Sequence, residues 1–199
     1  MSKNSDFAQV PTRAQIPNTD DELLRAYSAL NSLSLVDRKI VFRQACPKEK
    51  SNLWKLHLAL SMIKRPGLTE QQQAVVLEAM SFASAEVFEL RGKDLASKTE
   101  IEIALQALTS RAMQIFSKEE GAQIFSQLGG SAGSSPEMNA SLPRSLVKTA
   151  HGSSRATCGC SHSSDWCWIV CSGGVGCEHT DDGCGTLWRY ACDGQCWEY

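Results

Sequence analysis

A chain of 199 residues with a net charge of −2 has room for one ordinary domain, or for a small domain with an appended module. It contains no apolar run of about 18 residues or more, and residues 1–30 lack the continuous apolar core of a secretory signal. The charge is unevenly divided, because residues 156–199 hold one basic residue and six acids. Such an acidic segment would repel phosphate groups, so nucleic acid is not an expected partner.

Helix signals dominate the first two thirds of the chain. Residues 1–17 contain two prolines and no sustained periodicity, which indicates a flexible arm. After them, capping-box pairs that begin helices recur at Thr19 and Glu22, Thr69 and Gln72, Ser97 and Glu100, and Ser117 and Glu120. Helix ends are indicated by Pro47, by Pro66 with Gly67, and by Gly92. The sequence therefore predicts helices over 20–32, 35–45, 48–64, 70–90, 98–116 and 118–128.

Several of these helices carry apolar residues at steps of three and four. In the third they are Leu53, Leu56, Leu60 and Ile63; in the fifth they are Ile101, Leu105, Leu108, Ala112 and Ile115. Such stripes must be buried against one another, so residues 18–128 are predicted to form a helical bundle that acts as a leader or carrier domain.

Residues 129–155 are rich in Gly, Ser, Ala and Pro, a composition that cannot offset its ordering entropy by burial. We expect a flexible linker here, which is the natural place for a protease to cut. Two cleavage sites are candidates. One follows the Gly129-Gly130 pair, and the other lies between Arg155 and Ala156.

Residues 156–199 contain eight of the nine cysteines: Cys158, Cys160, Cys167, Cys171, Cys177, Cys184, Cys192 and Cys196. Eight cysteines, an even number, among dense turn residues are typical of a framework of four disulfides. The spacing of the cysteines does not determine which of them pair. The sequence Asp193-Gly194 favours a tight turn, so we predict a β-hairpin around it and a further short strand near 166–171.

Zinc is the alternative. Cys167 and Cys171, with Cys192 and Cys196, have spacings that suit a four-cysteine site, and His162 and His179 could add ligands. The chain would then be a non-toxic, zinc-stabilised binding or scaffold protein inside the cell. No phosphate loop, paired-carboxylate motif or nucleophile elbow is present, so the sequence predicts neither an enzyme nor a cofactor.

The cysteine-rich segment carries further motifs: Ala156-Thr157-Cys158-Gly159-Cys160-Ser161, Ser164-Asp165-Trp166-Cys167, Gly183-Cys184-Gly185-Thr186 and Tyr190-Ala191-Cys192. In these residues it resembles the fulvocin C-related bacteriocin family. The resemblance implies an antibacterial peptide cross-linked by disulfides, secreted, and cut from a longer precursor. It also implies a mature peptide that starts near Ala156.

The resulting prediction is an α-helical N-terminal bundle plus a small disulfide-rich, β-hairpin-containing C-terminal module over 156–199. Its predicted function is that of a precursor, made in the cytoplasm, whose antibacterial module is secreted after cleavage in the linker. The helical domain would engage the export and processing machinery. Aromatic residues would contact a target-cell envelope component or membrane, because amphipathic rings favour interfaces: Trp166, Trp168, Trp188, Tyr190, Trp197 and Tyr199.

Overall fold

The computed structural model of the chain describes residues 20–90, 95–129, 158–167, 170–173 and 176–196. The arm over 1–17, nearly all of the linker, and Trp168, Trp197 and Tyr199 lie outside the described residues. Among these described residues, the N-terminal part consists of helices, and the C-terminal part consists of short strands with four disulfides. This confirms the predicted fold class.

Residues 20–129 are called the helical region below, and their described part, 20–90 and 95–129, contains seven helices: α1 (Asp20–Asn31), α2 (Leu35–Gln44), α3 (Pro47–Ile63), α4 (Glu70–Phe82), α5 (Ala85–Glu89), α6 (Leu95–Ile115) and α7 (Lys118–Phe125). The single helix predicted over 70–90 is two helices. The first ends at Phe82, with Ala83 as its C-cap, and the hydroxyl of Ser84 then accepts a hydrogen bond from the Val87 N–H at the start of α5.

Two of the predicted capping boxes are present in full. The hydroxyl of Thr69 accepts from the Gln72 N–H while the Gln72 side chain accepts from the Thr69 N–H. Ser117 and Glu120 form the same reciprocal pair at the start of α7. The helix predicted from residue 98 begins three residues earlier, at Leu95, so Ser97 lies inside α6 and not before its first residue.

Helix α3 contributes much of the core of the helical region. Its buried residues include Lys50, Leu53, Trp54, His57, Leu58 and Ser61, at helical steps of three and four, together with Ser51. The stripe predicted for this helix is shifted, because Ile63 is 74% exposed. The stripe predicted for α6 is correct at its centre, where Leu105, Leu108 and Ala112 are buried.

In the cysteine-rich module (residues 156–199), the described residues form four strands: β1 (Cys171–Gly173), β2 (Thr180–Cys184), β3 (Tyr190–Cys192) and β4 (Gly194–Cys196). Antiparallel pairs form between β1 and β4 and between β2 and β3. A 3₁₀ turn at Thr186–Trp188 joins β2 to β3. The hairpin therefore lies N-terminal to Asp193 instead of around it.

The strands that flank Asp193 separate because another segment bonds to the chain at this point. The N–H groups of Asp193 and Gly194 donate to the Cys160 carbonyl, and the Gly194 carbonyl accepts from the Gly159 and Cys160 N–H groups. Strands β3 and β4 consequently belong to different sheets. Among the described residues, no helix has both the length and the apolar composition that crossing a bilayer requires.

Candidate functional site

The eight cysteines of the module form four disulfides: Cys158–Cys177, Cys160–Cys171, Cys167–Cys196 and Cys184–Cys192. They join residues 8 to 29 positions apart. In the chain-entropy model, loops of this length correspond to about 2.5–3.6 kcal/mol for each bridge. The sulfur atoms also fill the interior of the module, where the cysteines form two buried clusters of their own.

The disulfides bear directly on the zinc alternative. Its four cysteines are divided among three bridges, and a sulfur atom in a disulfide is not a thiolate ligand. The Nδ1 atom of His162 lies 3.0 Å from Oδ1 of Asp193, and the backbone N–H of His162 donates to the same oxygen. The ninth cysteine, Cys46, is half-buried and free at the start of α3.

Four large apolar side chains in the described part of the module are buried in a core that the module shares with the helical region. Trp166, Leu187, Trp188 and Tyr190, called the apolar face below, are all buried in the same hydrophobic core as helices α1 to α7. Their exposed fractions are 7%, 0%, 0% and 5%. Three of the six predicted target-contact residues therefore lie against the helical region in this structure, and the other three are outside the described residues.

Trp188 is completely buried in the shared core. Its ring meets Phe42 of α2 and Trp54 of α3 edge-on, with centroid distances of 5.2 and 5.9 Å. Its indole Nε1–H donates a hydrogen bond of 2.6 Å to the Ser126 carbonyl, which follows the last turn of α7. This carbonyl and the indole N–H thus satisfy each other inside the protein.

Trp166 of the apolar face packs against α7. Its ring stacks on Phe125 of α7 with 5.7 Å between centroids, and it lies so close to Gly121 that a Cβ atom there would overlap the indole. Tyr190 reaches α6, where its hydroxyl donates to the Glu102 carbonyl at 3.4 Å. Burial raises the pKa of the Tyr190 hydroxyl, so the group stays protonated and able to donate.

A buried chain of hydroxyl groups connects the module to α6. Thr109 donates to the Leu105 carbonyl, so its oxygen accepts from the Thr186 hydroxyl at 2.7 Å. The Thr186 oxygen in turn accepts from the Ser164 hydroxyl and from Nε1–H of Trp166, at 3.0 and 2.9 Å. Every proton has one acceptor in this arrangement, which is the condition for a buried polar network to stabilise a fold.

Lys39 of α2 supplies a buried cation at the contact. Its Nζ donates to the Gly159 carbonyl at 3.1 Å and lies 3.2 Å from Sγ of Cys184. Burial lowers the pKa of Lys39 to about 8, with the positive charge of Arg43 acting in the same direction. The helical region therefore contacts the cysteine framework itself as well as the aromatic rings.

The turn that presents the apolar face has an unusual backbone. Leu187 and Trp188 have φ angles of +55° and +52°, in the left-handed region that bulky residues rarely adopt. Such conformations cost on the order of 1–3 kcal/mol each and persist only where surrounding contacts hold them. Here those contacts come from the helical region, because both side chains are completely buried in the shared core.

Of the cleavage candidates, only Gly129 is among the described residues. It is buried, with a φ of +96°, and its N–H donates to Nδ1 of His57 at 3.2 Å. Arg38 donates to the preceding carbonyl, that of Leu128. The backbone at Gly129 is thus held inside the fold. Gly130, Arg155 and Ala156 lie outside the described residues.

The chain is similar to the bacteriocin fulvocin-C of Myxococcus fulvus, with 50% identity over 42 residues that cover 20% of this chain and 93% of that protein. The chain belongs to the fulvocin-C family. No family model matches this member of the fulvocin-C family, and no solved structure does. The length of the match fits residues 156–199, whose motifs resemble the family, and it leaves most of this chain without a counterpart in that relative.

Sequence reasoning did not find the residues of the helical region that hold the fulvocin-C-like module. Lys39, Thr109 and Gly121 each look ordinary in sequence: a charge on a helix, a hydroxyl inside a helix, and a glycine near a helix start. One signal was available. A glycine inside a short helix costs stability relative to alanine, which indicates that something packs closely against it.

Proposed function

We propose that this chain is the precursor of a disulfide-stapled antibacterial peptide, released from a helical carrier by cleavage in the linker. The support for an antibacterial module is the similarity of this short stretch to a protein named as a bacteriocin, together with four disulfides. Disulfides persist outside the reducing cytosol, so secretion fits the module. In this proposal the helical region engages the export and processing machinery.

One observation carries the proposal that the precursor is latent. The interior of the module consists of cystines, whereas its apolar face is buried against the helical region. Separation would expose Trp166, Leu187, Trp188 and Tyr190 together. A contiguous exposed apolar patch of this kind marks surfaces that bind proteins or membranes.

The charge of the module restricts what the exposed face would bind. Residues 156–199 carry six acids and one basic residue, so attraction to anionic lipids cannot drive binding. Aromatic rings with polar tips suit the boundary between a bilayer and water, or a pocket in an envelope protein. The proposed target is therefore an envelope component or the hydrophobic part of the membrane interface.

The buried backbone at Gly129 favours the second cleavage candidate. A protease binds its substrate in an extended form, which at Gly129 would require loss of the bonds to His57 and Arg38. Cleavage between Arg155 and Ala156 would instead release the whole segment 156–199, whose motifs resemble the bacteriocin family. We propose that the mature peptide begins at Ala156.

The test compares the oxidised peptide 156–199 with the intact chain at equal molar concentration on a panel of bacteria. We expect growth inhibition by the oxidised peptide and at least tenfold weaker inhibition by the intact chain. The matched control is the same peptide reduced and alkylated, which should be inactive. Inactivity of the oxidised peptide on every strain, after its four disulfides are verified by mass, would overturn the proposal.

A further inference from the structure

We propose that the helical region is a binding partner and inhibitor of the cysteine-rich module, and that it retains the module after the linker has been cut. The inhibitory role rests on the proposed function. The interface between residues 20–129 and residues 158–196 does not depend on that function. The ligand of the helical surface is thus this chain's own module, attached or free.

No covalent bond among the described residues joins the two parts. Each of the four disulfides lies within the module, and Cys46 is free. What holds the module is the packing of Trp188 between Phe42 and Trp54 and the stacking of Trp166 on Phe125. Aromatic side chains in fully buried pockets are the residues that dominate binding energy at protein interfaces. Cutting the linker leaves all of these contacts in place.

The contact has the polar complementarity of a specific interface. Lys39 is paired with the Gly159 carbonyl, Thr109 with Thr186, and the Trp188 indole with the Ser126 carbonyl. Each of these bonds joins a group of the helical region to a group of the module. Dissociation would break these hydrogen bonds and expose their donors and acceptors to water. An unrelated peptide would not place matching groups opposite those of the helical region.

The strained turn makes the docked shape specific to the complex. The left-handed backbone at Leu187 and Trp188 is held by burial of both side chains in the helical region. In the free module that support is absent, so we expect the turn to relax. Release of the module is then a separation coupled to a local change of shape. Linker cleavage is therefore necessary for release but is not sufficient.

The experiment uses the full chain with a sequence-specific protease site substituted within residues 131–150. After complete cutting at about 10 μM, size-exclusion chromatography with intact mass should show both fragments in one peak. Hydrophobic interfaces of this type hold at micromolar concentrations or below. Elution of the module in a separate peak at this concentration would overturn the inference.

Gly121 provides a variant that changes only the helical side. In Gly121→Ala the new methyl group overlaps the Trp166 indole, whereas alanine itself favours the helix. We expect at least tenfold weaker retention of the module. The matched control is Gly67→Ala, because a Cβ atom there has no neighbour within 4 Å, and it should leave retention unchanged. Circular dichroism verifies folding of both variants, and Thr109→Val serves as a second variant if Gly121→Ala does not fold.

An activity measurement separates failure of this inference from failure of the proposed function. The cut but unseparated mixture is compared with module purified from it by reversed-phase chromatography with its disulfides intact. We expect the mixture to be at least tenfold less potent than the purified module. Equal potency would overturn inhibition while leaving the antibacterial function standing. Co-elution with an inactive purified module would overturn the function while leaving the binding surface standing.

Discussion

Trp188 of the cysteine-rich module lies edge-on against Trp54 of α3, with 5.9 Å between the ring centroids and 89° between the ring planes. Both side chains are completely buried. The central helix of the helical region therefore completes its core with a ring from the module. Two parts that look separate by composition share one interior, so they should unfold together.

Trp188→Ala should destabilise the whole chain and not the module alone. Truncation of a buried tryptophan costs about 3–5 kcal/mol. We expect the urea midpoint followed by helical circular dichroism to fall by a corresponding amount, although the substituted residue is not in a helix. Val170→Ala is the control, because Val170 is 47% exposed on the module and its truncation should change stability by less than about 0.5 kcal/mol. An unchanged helical midpoint in Trp188→Ala would contradict the shared core.

Short-range signals in the sequence predicted the short-range features of the fold. The reciprocal caps at Thr69 and Ser117 depend on residues three positions apart, and both are present. The break at Ala83 was missed because Ser84 is not followed by Glu or Gln at the third position, so it shows only half of the capping pattern. Cysteine density likewise indicated a compact disulfide-linked module.

The contact between module and helices was not predictable in the same way. Trp54 and Trp188 are distant in sequence, and no periodicity relates them. The left-handed turn at Leu187 also runs against local preference, because β- and α-region angles are the ordinary choice for leucine. Conflicts of this kind between local preference and the final fold are expected at functional sites. The disulfide pairing is non-local as well, which explains why spacing left it open.

The hydroxyl network between Thr109 and Thr186 should behave as a coupled unit. Thr109→Val removes the acceptor of the Thr186 hydroxyl and should cost about 1–3 kcal/mol. Thr186→Val should cost more, because it leaves Trp166 Nε1–H and the Ser164 hydroxyl without their acceptor. The double variant should cost less than the sum, by about 0.5–3 kcal/mol. Strict additivity in urea unfolding would show that the two residues do not interact.

Acidification should weaken the fold through His57. Its Nδ1 accepts from the Tyr27 hydroxyl and the Gly129 N–H, and Nε2–H donates to the Gln123 carbonyl, so the ring is neutral. Burial lowers its pKa from 6.5 to about 4. Between these values the unfolded chain binds a proton that the folded chain does not, so stability falls as pH falls.

From pH 7 to pH 5 this linkage corresponds to a loss of about 2 kcal/mol in the free energy of unfolding. Urea titrations at both pH values measure it. His57→Gln is the comparison, since an amide keeps a donor and an acceptor but does not titrate in this range. Its pH dependence should be smaller than that of the unaltered chain by that amount. Equal pH dependence in the two proteins would contradict a neutral, buried His57.

Gly129→Ala separates a structural role of Gly129 from a role in cleavage. A Cβ atom there would overlap Oδ1 of Asn31 and lie 2.7 Å from Nη1 of Arg38, and the φ of +96° strains alanine. We expect a loss of about 1–3 kcal/mol in urea unfolding, with secreted peptide that still begins at Ala156. Gly67→Ala is the control for the added methyl group. Unchanged stability with blocked release would instead identify Gly129 as the processing site.

The Cys184–Cys192 bridge should matter less in the precursor than in the released module. It spans the turn at Thr186–Trp188, which the helical region already holds through Leu187 and Trp188. In the free module that support is absent, and only the bridge closes the turn. In the chain-entropy model, the bridge stabilises the module by about 2.5 kcal/mol. Serine at both positions keeps an acceptor for Lys39.

We therefore expect the double Cys→Ser variant to lower the thermal midpoint of the full chain slightly, while the variant module alone loses protease resistance. The Cys160→Ser and Cys171→Ser pair is the matched control, since that bridge does not span the docked turn. An equal effect of the two pairs on the full chain would show that docking does not support the turn.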